Sequence, residues 1–101
     1  MSSFRAQLDI LGLLPGHAPE AVMESAEAAL GAAHLVEAKQ LDVVAGVPRI
    51  TLRFLVEETD YETGAKQAVQ AAVKMRHAVE RVATVGPLRV LRRRRNRWEG
   101  L

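Results

Sequence analysis

The chain has 101 residues, 49% of them hydrophobic and 26% charged, with a formal net charge of +2, which is the size and balance of one globular domain around one core. It has no cysteine, which excludes a disulfide framework, a thiolate metal site and a cysteine nucleophile. No apolar run approaches the roughly 20 residues that a transmembrane helix needs, and Met1 to Arg5 leads into an alternating segment unlike the apolar core of a secretory signal, so a cytoplasmic protein with no membrane partner is expected.

Phe4, Ala6, Leu8 and Ile10 alternate with Arg5, Gln7 and Asp9, the period-two pattern of a strand with one buried and one wetter face. Leu14-Pro15-Gly16 breaks it. Pro19 and Glu20 then suit the first turn of a helix, where a missing amide hydrogen costs nothing and a carboxylate meets the positive end of the dipole. Val22, Ala26, Ala29, Leu30 and Ala33 follow at helical spacing, a thin face that can lie close on a sheet.

Residues 35–44 and 49–57 are both extended in pattern, and Ala45-Gly46-Val47-Pro48 between them supplies a turn, so they are expected to pair as a hairpin. Thr59-Asp60-Tyr61-Glu62 has the form of a capping box. The helix it opens carries Ala68, Ala72, Met75, Val79 and Val82 on one stripe. Val85-Gly86-Pro87 is expected to end that helix, and Leu88 to Leu91 to begin a last strand running into an arginine-rich segment.

The order strand, helix, strand, strand, helix, strand is that of the ferredoxin-like superfold, an α+β sandwich with two helices on one face of a four-stranded antiparallel sheet. Residues 1–91 are expected to form the domain and residues 92–101 a C-terminal strand extension or tail. With the first and third strands taken as adjacent and parallel, Ala6 would face Ile50, Leu8 Leu52 and Ile10 Phe54. On the outer face Arg5 would then lie beside Arg49, Asp9 beside Arg53, and Leu11 beside Leu55 and Leu91, with Leu41 or Val43 as the extension of the apolar end. A naked sheet face bearing several leucines tends to be covered by a partner. The first expectation is therefore a non-enzymatic, self-associating structural or interaction domain, a homodimer before larger assemblies, using Leu11, Leu55 and Leu91.

The second expectation rests on charge. Six of the fourteen basic residues lie in the last thirteen positions, and Arg92, Arg93, Arg94, Arg95 and Arg97 gain from a polyanion whose phosphates release counterions on contact. Trp98 is suited to stacking on a base, or to anchoring the chain end on a sheet edge. No other aromatic is expected on the outer face, because Phe4 and Phe54 fall on the core side. Nucleic acid would then be held by residues 92–98 without sequence reading.

The third expectation is a small-ligand regulatory domain. The turn before the first helix, with Gly16 and His17, leads into a helix N-terminus where free amides can meet an anion. In topology this resembles the ACT domains, which bind small ligands at the turn after their first strand. His17, His34 and His77 show no metal-ligand spacing, and Glu57, Glu58, Asp60 and Glu62 suit a helix N-terminus electrostatically. No catalytic residue, metal site or cofactor is assigned from the sequence.

Overall fold

A computed structural model of the chain describes residues 1–57 and 60–101. The elements are β1 (Ser2–Leu13), α1 (Glu20–Gly31), β2 (Leu35–Val44), β3 (Val47–Val56), α2 (Tyr61–Val79), β4 (Ala83–Arg94) and β5 (Arg97–Gly100). Two helices lie with one antiparallel sheet of order β2-β3-β1-β4-β5. The fold is thus α+β, with five strands where four were expected. The fifth arises because β4 runs on to Arg94, turns at Arg95-Asn96 and pairs with residues 97–100.

The central pair corrects the expected parallel register. β3 is antiparallel to both β1 and β2. The physical reason is the crossover: α1 returns the chain so that β2 runs with β1, and β3, turning back from β2, opposes both of its neighbours. Phe4 accordingly faces Phe54, Ala6 faces Leu52, and Leu8 faces Ile50.

The core follows from the alternation. Phe4, Ala6, Leu8 and Ile10 of β1 and Ile50, Leu52, Phe54 and Val56 of β3 are buried, together with Val22, Ala26 and Leu30 of α1 and Ala68, Ala72, Met75 and Val79 of α2. These side chains form one cluster, so both helices cover the same sheet face. The rings of Phe4 and Phe54 stack at 6.0 Å between centroids. Ala33, expected on the first helical stripe, lies beyond α1 and is exposed.

Three local devices fix the frame. Ala45 and Gly46 both have positive φ (51° and 80°) between the paired Val44 and Val47, the two-residue hairpin turn that matches strand twist. The cap of α2 is Asp60, whose carboxylate accepts from the Thr63 amide at 2.8 Å and from the Thr63 hydroxyl at 3.0 Å. Thr59, the cap expected from sequence, lies outside the described residues, as does Glu58. Gly86 and Pro87 do not end a helix: α2 stops at Val79, and both residues lie inside β4, where the pairing with β1 shifts register between Leu8 and Ile10. A strand tolerates proline at such an irregularity, since no ladder hydrogen bond is required there. Val82, expected on the helical stripe, is buried in the turn after α2.

Candidate functional site

With both helices on one side, the other face of the sheet is uncovered, and its composition follows from the register. The β1–β3 pairs on it are Ser3 with Leu55, Arg5 with Arg53, Gln7 with Thr51, and Asp9 with Arg49. β2 adds Gln40 beside Thr51 and Asp42 beside Arg49, and β4 adds Leu91 beside Arg5 and Arg89 beside Gln7. Arg93 and Trp98 form the next pair outward on β4 and β5. The face is therefore charged through its middle, with Arg5, Arg49, Arg53, Arg89 and Arg93 set against Asp9, Glu37 and Asp42.

Two of these arginines are neutralised. Arg49 Nε donates to Asp9 Oδ1 at 2.7 Å with both side chains about one-fifth exposed, and this hydrogen bond holds the Asp9 carboxyl below the usual aspartate range. Arg53 pairs with Glu37 at 3.2 Å, and Ser3 bridges them, donating to Glu37 at 3.1 Å and accepting from Arg53 at 3.4 Å. The β2 ladder shifts by one residue at Glu37, which brings its carboxylate to this face. Among the described residues, Arg5, Arg89, Arg93, Arg95 and Arg97 make no ion pair, whereas Arg94 lies 3.8 Å from Glu99.

Trp98 changes the character of the face. Its indole lies partly exposed over the sheet, with the Arg5 guanidinium 4.1 Å and the Arg53 guanidinium 5.5 Å from the ring centroid. Phe4 and Phe54 are buried on the helix side, and β5, returning beside β4, brings Trp98 to the outer face from the far end of the chain.

The arginine run is divided by the same alternation. Arg92 faces the helices and is only 5% exposed. Its guanidinium donates to the Tyr61 carbonyl at 2.9 Å and to Ser2 Oγ at 3.4 Å, and lies 3.8 Å from the Tyr61 ring centroid and 5.0 Å from that of Phe4. It is thereby separated from Arg93, Arg94, Arg95 and Arg97, which are exposed around the β4–β5 hairpin. At the tip, Arg95 has φ of 58°, a left-handed conformation that costs a non-glycine residue roughly 1 kcal/mol.

The three leucines do not meet. Leu55 and Leu91 are half-buried near the Ser3 end of β1, but Leu11 lies past the last β1–β3 pair, about 27 Å along the strand from Ser3 at 3.4 Å per residue. The antiparallel register separates what a parallel one would have joined. Leu41, paired with Ile50, and Val43 fall on the helix side. With Leu11, Leu13, Pro19, Val22 and Met23, Leu41 lines an apolar groove of about 310 Å³ at one end of the molecule.

Gly16 and His17 are exposed in the turn before α1, and neither lines that groove. The first amides of α1 turn back on the chain, Ala21 donating to the Ala18 carbonyl at 3.0 Å and Val22 to that of Pro19 at 3.2 Å. His34 lies against Phe54, 5.7 Å between centroids, and His77 is exposed on α2. Among the described residues no group of three metal-ligating side chains comes together, and no helix is long and apolar enough to cross a membrane. Comparison with protein-family models, with curated proteins and with solved structures gave no match.

Proposed function

We propose that this protein is a non-enzymatic, non-sequence-specific nucleic-acid-binding domain in which the outer sheet face and the β4–β5 hairpin form one basic surface. The first four strands and two helices are read as a ferredoxin-like unit, and β5 is the addition that equips it. The observation that carries the proposal is the company Trp98 keeps. An aromatic ring lies against Arg5 and the paired Arg53, on a face where Arg5, Arg89 and Arg93 make no ion pair among the described residues, although Arg89 adds to the field that lowers Asp9, with Arg95 and Arg97 at the rim. Clustered unpaired guanidinium groups repel one another, and a phosphate chain relieves that repulsion while releasing counterions.

The test is fluorescence anisotropy of a labelled mixed-sequence oligonucleotide over a salt series. Binding should weaken steeply with salt, and replacing Arg93, Arg95 and Arg97 with glutamine should flatten the log–log slope by about 2, at roughly 0.7 per lost phosphate contact on a single strand. Absence of binding at low salt, or an unchanged slope in the triple variant, refutes the proposal.

A second reading, self-association, rests on the Leu11 end of the expected leucine surface with Leu41 and Val43, and not on Leu55 and Leu91. Leu11, Leu41 and Val43 are 60%, 63% and 69% exposed beside the apolar groove, and contiguous apolar surface of this kind marks interaction sites. Light scattering tests it: a dimer that Leu41→Glu converts to monomer supports this surface, and a monomer at high concentration removes the reading.

A further inference from the structure

We infer that the nucleic acid is single-stranded and that a base stacks on Trp98, an inference that rests on the reading of the outer face as a nucleic-acid surface. The shape of that face decides between strand and duplex. A duplex is read by an element that enters a groove, and the ribbon that carries Arg93, Arg95 and Arg97 is the β4–β5 hairpin. β1 supports β4 as far as the pair Phe4–Arg92, so the hairpin runs on through two residue pairs and its turn, roughly 10 Å from Arg92 to the tip at 3.4 Å per residue. That matches the roughly 8.5 Å depth of the major groove, so what the tip would bring to a duplex is arginine and not the indole. Trp98, moreover, lies over the sheet near Arg5 rather than at the hairpin tip, where a base still paired in a duplex would not meet its ring.

A single strand fits the same geometry. The five strands span about 19 Å at 4.8 Å spacing, a breadth comparable to the few nucleotides that a single-strand platform engages. Trp98 presently contacts the Arg5 guanidinium. Stacking of a base on the indole competes with the contact of the half-buried Arg5 guanidinium, and a base that takes the ring displaces Arg5 from it. The freed guanidinium then joins Arg89 and Arg93 along the phosphate chain. Arg53 stays with Glu37 and Ser3 and holds the platform in place. All bases have a stacking face, so the strand is held without regard to sequence.

Trp98 is the only tryptophan in the chain, so its own emission reports the contact. The intact protein is titrated with a 12-nucleotide oligothymidylate and, separately, with a mixed-sequence duplex of equal length, following tryptophan emission and the anisotropy of the labelled nucleic acid. Saturable quenching by the single strand, affinity for it above that for the duplex, and a loss of about ten-fold or more in Trp98→Leu but not in Trp98→Phe are expected. Duplex affinity should change little in either variant. Equal or tighter duplex binding with unchanged tryptophan emission overturns this inference and leaves the basic surface standing. Failure of both nucleic acids to bind at low salt overturns the inference and the proposed function together.

Discussion

Arg92 and Arg93 are neighbours in a run of four arginines, and the structure predicts opposite consequences for their loss. Arg92 is enclosed between the Phe4 and Tyr61 rings and donates to the Tyr61 carbonyl and to Ser2. Replacing it with methionine keeps most of the volume and removes the charge. A hydrogen bond from a charged donor contributes about 1.5–3 kcal/mol, and a desolvated cation over an aromatic ring about 1–2 kcal/mol. Against this stands the desolvation of the guanidinium, which the variant no longer incurs and which offsets part of the loss. A net destabilisation of about 2–3 kcal/mol is expected, a fall in Tm of roughly 8–24 °C for a domain of this length. Arg93→Gln should stay within about 0.5 kcal/mol of the parent, as exposed substitutions do. Urea unfolding of the two variants beside the parent measures both. An Arg92→Met protein as stable as the parent would mean that the guanidinium contacts do not repay its burial. The division of the run into one structural and several displayed arginines would then fail.

Three further outcomes test the frame. Ala45→Asn should raise stability by about 0.5–1 kcal/mol in thermal unfolding, because asparagine tolerates the left-handed φ of 51° at this hairpin position better than alanine. Asp60→Ala should lower it by about 1 kcal/mol through loss of the α2 cap, and an unchanged denaturation midpoint would show that the cap is dispensable. The Asp9 carboxyl, held low by its hydrogen bond from Arg49, contributes stability that is present above the ordinary aspartate pKa of about 3.9 and lost as pH falls through the lower folded value. Urea midpoints taken from pH 5 to pH 2 should therefore fall less in Asp9→Asn than in the parent, whereas parallel profiles would remove the pair from the acid response.

Much of the fold is legible in the residues. Phe4 to Ile10 and Ile50 to Val56 alternate cleanly because each strand has one face against the helices, and Pro19 and Met75 mark the first helix start and the second helix face for local reasons. What local pattern does not carry is direction. Alternation is the same read forwards or backwards, so Phe4 opposite Phe54 and Ile10 opposite Phe54 both fill the core. Only the handed path through α1 chooses between them. Gly86-Pro87 misleads for a related reason: the pair is a turn signal in isolation, yet beside the Leu8–Ile10 irregularity of β1 it occupies a break in the ladder. The phase of β2 is set by the one-residue shift at Glu37, which appears only in the pairing with β3.

The candidate site is harder to read because alternation in it is written in one letter. Four successive arginines give no contrast between faces, so nothing in residues 92–95 distinguishes the buried Arg92 from the displayed Arg93. The signal available is Asn96, a turn-former placed so that Trp98 falls opposite Arg93 across a two-residue loop. Once that hairpin is recognised, parity does the rest: Trp98 and Arg93 share the uncovered face, Arg92 and Glu99 the helix side. The surface then has two requirements, a ring and unpaired guanidinium groups beside it, and only the return of β5 satisfies both. A protein truncated after Arg94 would retain Arg5, Arg89 and Arg93 on the face but lose the ring that Arg5 covers. Its residual oligonucleotide binding should be purely electrostatic, and no tighter for a strand than for the more densely charged duplex of the same length.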